Sequence, residues 1–98
     1  MAKVMFTISY DINPEKREEY LSLTGKMKRH LALKNSKEYS IYEHKGKKNS
    51  FSEVFVFNSM EEYDQLEDED DQMAQFIQEL ESLLAHGKMK YTTLIELQ

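Results

Sequence analysis

Phe51 to Leu66 reads FSEVFVFNSMEEYDQL, and the folding of this stretch decides how the rest of the chain must be arranged. Phe51, Val54, Phe55, Val56 and Phe57 form the densest apolar run of the sequence. It is short, rich in β-formers and far below the length of a membrane span, so it reads as a buried strand. Asn58 and Ser59 break it. Ser59 with Glu62 makes a capping box, in which the serine oxygen takes a backbone N–H of the first helical turn. A buried strand running directly into a capped helix is thus expected here.

Working outward, Lys3 to Tyr10 alternates, with Val4, Phe6, Ile8 and Tyr10 on one face and Met5, Thr7 and Ser9 on the other, which predicts a strand. Asn13 and Pro14 suit an N-cap and a first helical position. Tyr20, Leu23, Thr24, Met27 and Leu31 then fall on one helical stripe that fades around 34–36. Gly25 inside this helix predicts a close approach or a kink. Lys37 to Lys45 reads as a second strand and 46–50 as a hairpin turn. If Gly46 pairs with Phe51, His44 faces Glu53 and Tyr42 faces Phe55, all on one face, with Ile41, Val54 and Val56 on the other. A second helical region has two pieces. Met60, Tyr63 and Leu66 mark the first, the acidic run 67–71 interrupts, and Met73, Phe76, Ile77, Leu80, Leu83 and Leu84 mark the second. Gly87 is expected to cap its end with His86 beside it. Lys88 to Leu97 alternates as the last strand.

The order β-α-β-β-α-β predicts an α+β, ferredoxin-like fold: one domain over 1–98, with four antiparallel strands and two helices on one face, the second helix broken. On the register above, Tyr42, Phe51, Phe55 and Phe57 line the opposite face. An apolar patch of that size predicts a partner, and two sheets stacked as a homodimer would cover it.

The strand, Pro-started helix, hairpin, the segment Val56-Phe57-Asn58-Ser59-Met60-Glu61-Glu62-Tyr63, the broken acidic helix and the last strand together resemble the dimeric α+β barrel superfamily, nearest its antibiotic-biosynthesis-monooxygenase-like group. The resemblance covers essentially the whole chain. It implies a homodimer whose paired sheets form a barrel, with a ligand cavity and no dedicated cofactor. Activities in such a family include cofactor-independent oxygenases and isomerases. The departures are specific. There is no Trp, the positions early in the second helical region are Asp64, Gln65 and Leu66 rather than His, and the first strand offers Met5, Thr7 and Ser9 where haem-degrading members use Asn. No catalytic residue is therefore carried over.

Composition narrows the function classes. The 98 residues hold no cysteine and carry a net charge of −5. Residues 1–50 have 11 Lys+Arg against 6 Asp+Glu, while 51–98 have 2 against 12. The acidic total argues against nucleic acid or an anionic membrane as primary partner, and the opposed halves would complement each other across a two-fold interface. No signal segment or membrane span is read, so a cytoplasmic location is expected. An RNA-recognition domain shares the topology, but Glu53 would occupy a base-stacking position. An acylphosphatase-like site would need an Arg-bearing, Gly-rich loop where Asp11-Ile12-Asn13-Pro14 stands.

His44, Glu53 and Tyr42 are the candidate catalytic residues. A carboxylate beside an imidazole orients it and raises its basicity, and a phenol one strand step away would bind an enolate or phenolate oxygen. No pair of histidines has metal-ligand spacing, and 67–71 lacks the glycine and spacing of a calcium loop, so neither a metal nor a cofactor is expected. Two functions follow: a homodimer that binds a small apolar or aromatic ligand without catalysis, or a cofactor-independent monooxygenase or isomerase.

Overall fold

The computed structural model describes residues 2–33, 38–64 and 71–97. Leu66 and residues 67–70 of the expected helix break lie outside them, as does the segment around 34–36. Strand β1 is Val4–Ile12, followed by a 3₁₀ turn Pro14–Lys16 and helix α1, Arg17–Leu33. Strands β2, Glu38–Glu43, and β3, Ser50–Phe57, form a hairpin. Helices α2, Met60–Asp64, and α3, Asp71–Leu83, precede β4, Leu84–Ile95. The sheet runs β2-β3-β1-β4, and all its pairs are antiparallel. This is the ferredoxin-like βαββαβ architecture.

The helix starts form as their sequences dictate. The Asn13 side chain accepts the Glu15 N–H at 3.0 Å, with Pro14 at the first turn, where its missing N–H costs nothing. Ser59 accepts the Glu62 N–H at 3.2 Å. On α1, Tyr20, Leu23, Met27 and Leu31 are buried; on α3, Phe76, Leu80 and Leu83 are. Both helices press these stripes onto one face of the sheet, against Tyr10, Ile12 and Phe51. Gly25 is no point of close approach: a Cβ there would meet only the Arg29 guanidinium, at 3.8 Å.

The register of the hairpin differs from the expectation. β2 pairs with β3 as Tyr39–Phe55, Ile41–Glu53, Tyr42–Ser52 and Glu43–Phe51. The loop therefore spans 44–49, not 46–50, and two of its residues, Gly46 and Asn49, take positive φ. The slip is three residues, an odd number, so every β2 side chain changes its β3 companions: Tyr42 keeps its expected place on the open face, and Phe51, Phe55 and Phe57, expected beside it, turn to the other. Phe51, Phe55 and Phe57 point to the helices and are buried, together with Glu53. Ile41 shares their side. The open face instead carries Met5, Thr7 and Ser9 of β1, Ser52, Val54 and Val56 of β3, Ser40 and Tyr42 of β2, and Lys90, Thr92 and Leu94 of β4.

The second difference is at the α3 end. The helix stops at Leu83 and the strand begins at Leu84, so Gly87 is not a helix cap. It sits inside β4 with φ +67°, where the β1–β4 register shifts between Tyr10 and Ile12. A bulge needs one residue out of the pleat, and glycine takes that conformation without a Cβ penalty. His86 is thereby placed near Asp11, at 3.7 Å, rather than at a helix end.

Two substitutions check these assignments. Phe55→Asp removes a buried ring, worth about 3–5 kcal/mol, and leaves a charge in its place, so circular dichroism will show an unfolded chain. Gly25→Ala will raise the urea midpoint, by up to ~1 kcal/mol in stability, because the added methyl has room.

Candidate functional site

Among the described residues the inner sheet face buries one charged side chain where only apolar ones would be expected. Glu53 is 2 % exposed on a central strand between Ile8 of β1 and Ile41 of β2. A carboxylate there must be given donors, and the neighbouring rows supply them. Tyr10 donates to its Oε2 at 2.7 Å and Tyr39 to its Oε1 at 2.7 Å. Tyr20 of α1 lies 2.8 Å from the Tyr10 oxygen. With Tyr10 donating to Glu53, Tyr20 donates to Tyr10, and the three phenols form one directed network. Among the described residues no buried side-chain N or O lacks a hydrogen-bond partner.

Burial dominates the electrostatics. It raises the Glu53 pKa above the ordinary carboxylate value, and the two phenol bonds pull it only part of the way back. The hydroxyls of Tyr10 and Tyr39 are driven far up, first by burial and then by the charge of Glu53. Tyr20 is pushed up by burial as well. The phenols therefore stay protonated as donors. Glu53 is the acidic group of this network, and its carboxyl holds a proton more tightly than an exposed one does. Two donors leave further acceptor positions on the carboxylate.

Beside Glu53 the inner face is incompletely covered. The row through it runs Tyr91, Ile8, Glu53, Ile41 across the four strands. Ile8 and Phe6 are half-buried, whereas Tyr91 at the edge is 59 % exposed. The Phe6 ring stacks on Tyr91 at 6.1 Å and meets Tyr63 edge-on at 6.1 Å. Tyr91 thus does not join the core as an ordinary buried aromatic. These rings make an aromatic strip one strand away from the carboxylate, with Tyr91 and Glu53 about 10 Å apart across β1.

The three expected site residues are not brought together. Glu53 faces the helices, while Tyr42 and His44 lie on the other side of the sheet because of the three-residue slip. The expected pairing of His44 with Glu53 is corrected accordingly. His44 instead contacts Ser52 Oγ through Nε2 at 2.6 Å and Ser50 Oγ through Nδ1 at 2.8 Å. Tyr10 and Tyr39, the partners that Glu53 has, and Tyr20 behind Tyr10 are not singled out by the sequence, where Tyr10 is a strand-face residue and Tyr20 one of a helix stripe. The signal that could have found them is simple: a lone Glu within a phenylalanine-rich strand must be met by donors from adjacent rows. Among the described residues no group of three or more His, Cys, Asp or Glu could hold a metal ion. No described helix is long and apolar enough to cross a membrane.

At the rim of the same face, where Glu43 lies opposite Phe51, is a surface ion pair. Arg17 meets Glu43 at 2.7 Å and lies over the Phe51 ring at 5.5 Å. Its hydrogen bond, with that of the Asn49 N–H, holds the Glu43 carboxyl down at about 2.

Glu53 and Glu43 act oppositely on stability. A raised folded pKa gives stability that is present below the unfolded value of 4.5 and lost as pH rises through the folded pKa. Urea titrations will therefore show the wild type losing ground to Glu53→Gln as pH rises above 4.5. The Glu43 contribution is present above 4.5 and falls away only as pH drops toward about 2, so it stays constant in that window.

Comparison with protein-family models finds no match, and comparison with curated proteins finds none either. Solved structures do match. SnoaB, a cofactor-independent oxygenase from Streptomyces nogalater, superposes with a TM-score of 0.77 at 12% identity, covering 98% of this chain and 94% of its own. An antibiotic biosynthesis monooxygenase superposes at 0.65 and 14%, covering 100% and 98%. A dimeric ferredoxin-like protein from Thermobifida fusca gives 0.66 at 16%, covering 98% and 92%. At these identities the likeness is one of fold: the chain is similar in structure to antibiotic-biosynthesis-monooxygenase-like, ferredoxin-like proteins over nearly its whole length.

Proposed function

We propose that the protein works as a homodimer that binds a small aromatic hydroxy compound between sheet and helices and accepts a proton from it at Glu53. The observation that carries this reading is the buried carboxylate one strand from an open aromatic strip. The ligand ring lies over Ile8 and Phe6 against Tyr91, and its hydroxyl, or an activated C–H beside it, reaches the acceptor position on Glu53 that Tyr10 and Tyr39 leave open. Burial makes Glu53 a stronger base than an exposed carboxylate. The network already accepts phenol O–H groups at 2.7 Å, the chemistry a phenolic ligand needs. Loss of the proton leaves an electron-rich anion, the common starting point for isomerisation and for reaction with dioxygen. A fold shared with a cofactor-independent oxygenase supports this class of chemistry, in which the acid–base group is the protein's own.

The homodimer forms through the open face. Met5, Val54, Val56 and Leu94 gather at one end of that face, and Met5 and Leu94 are 38% and 51% exposed. A second copy covers them, in keeping with a structural neighbour described as dimeric.

Light scattering will give the mass of two chains for the wild type and of one for Val56→Asp, with circular dichroism unchanged; a wild-type monomer overturns the dimer. p-Nitrophenol, whose absorbance reports its ionisation, will bind the wild type and lose ten-fold or more in affinity to Glu53→Gln, a loss of about 1.4 kcal/mol. Filling the strip with Ile8→Trp will abolish binding. Equal affinity in Glu53→Gln overturns the role of the carboxylate.

A further inference from the structure

The open face carries a second polar network that the Glu53 site does not use. It lies at the end away from Met5 and Val56, and Met5 to Ser9 alone is about 13 Å of strand. Its members are Asp11 and Ser9 of β1, Ser50 and Ser52 of β3, and His44 at the start of the hairpin loop. Ser9 Oγ lies 2.7 Å from Ser52 Oγ, Ser52 Oγ 2.6 Å from His44 Nε2, and Ser50 Oγ 2.8 Å from His44 Nδ1. Asp11 stands opposite Ser50 in the β1–β3 pair, and the nearby Ser50 hydroxyl, with further help from Lys47 and His86, holds its pKa down.

Each hydroxyl has one hydrogen to give, so the direction of the whole chain follows from its anionic end. Asp11 can only accept. With its hydroxyl turned toward that carboxylate, Ser50 accepts from Nδ1–H of His44. That fixes the tautomer and leaves Nε2 with a free lone pair. Ser52 donates to Nε2, and Ser9 donates to Ser52. A hydroxyl bonded to an imidazole lone pair, with the other ring nitrogen oriented by a group tied to a carboxylate, is the arrangement that activates a serine. Here the orienting carboxylate acts through one intervening hydroxyl. The base is exposed and the nucleophile half-buried, so a ligand reaches both. Tyr42, directly opposite Ser52 and 58 % exposed, places a phenol and its ring on the same face.

We infer that Ser52 is a nucleophile activated by His44, with Ser50 and Asp11 as positioning residues, and that the site takes small aryl esters. Ser52 Oγ attacks the carbonyl carbon and its proton passes to His44 Nε2. The bond from carbon to the phenolic leaving group breaks, and the leaving oxygen takes that proton from His44. Water then repeats the exchange, releasing the carboxylic acid and restoring Ser52. Nothing is oxidised or reduced. Tyr42 is the O–H donor at hand for the developing oxyanion.

The test uses the full-length protein and a fluorophosphonate probe, with the adduct located by peptide mass mapping. A single adduct on Ser52 is expected, forming ~100-fold or more slowly in His44→Ala, the scale of a lost general base. p-Nitrophenyl acetate should give a burst of nitrophenolate that Ser52→Ala lacks. Mapping the adduct on the wild type requires no variant to fold. Imidazole ¹⁵N NMR of the neutral ring should report His44 as the Nδ1–H tautomer, reverting to Nε2–H in Asp11→Asn. An adduct on another residue, no adduct, a rate unchanged in His44→Ala, or an Nε2–H tautomer in the wild type would each overturn the inference.

Discussion

A carboxylate shut away from water must be met by donors, and in this chain that one demand ties the layers together. Glu53 is reached by Tyr10 from β1 and Tyr39 from β2, and Tyr10 is backed by Tyr20 from α1. Three strands and a helix are thereby held in one relative placement. Slipping β2 by a single residue would turn Tyr39 to the other face and leave an oxygen of Glu53 bare, which costs several times what an ordinary contact returns. Apolar packing alone would tolerate several arrangements of the phenylalanines of β3, whereas the phenol–carboxylate geometry accepts far fewer.

The sheet separates two kinds of chemistry. On the helix side the surroundings are aromatic and dry, and an acid–base group gains basicity from burial. On the open side the groups are small hydroxyls and an exposed imidazole, held by an ordered run of hydrogen bonds rather than by burial. Alternation along β3 assigns the sides: Phe51, Glu53, Phe55 and Phe57 go one way and Ser52, Val54 and Val56 the other. Adjacent residues of one strand, Ser52 and Glu53, thus belong to different environments though they share a peptide bond.

Much of this was readable from the residues. The alternation of β1, the apolar stripes of α1 and α3, the Asn13–Pro14 start and the Ser59 cap are local signals, each with a local cause. They gave the element order and hence the topology. Register is not local. Gly46-Lys47-Lys48-Asn49-Ser50 looks like a compact turn, but Asn49 takes a positive φ, which asparagine tolerates better than most residues, and the loop starts at His44. An error of three residues there was enough to exchange faces and to match His44 with the wrong partner. Gly87 departs from its expected place for a related reason. Glycine after a helical stripe suggests a cap, yet the same left-handed conformation serves a bulge within a strand.

The order of strands in the sheet has a consequence for how the molecule is made. β1 is synthesised first, but its neighbours are β3 and β4, and its Thr7 is bonded to the Thr92 carbonyl 85 positions later. One edge of β1 has its partner once β3 is made, but the other waits for β4. Its Phe6, Ile8 and Tyr10 face therefore waits uncovered during elongation, at about 5–20 residues per second. Long-range closure of this kind slows folding relative to helical bundles of similar size. Pairing of β1 with β4 is thus the last step in completing the sheet.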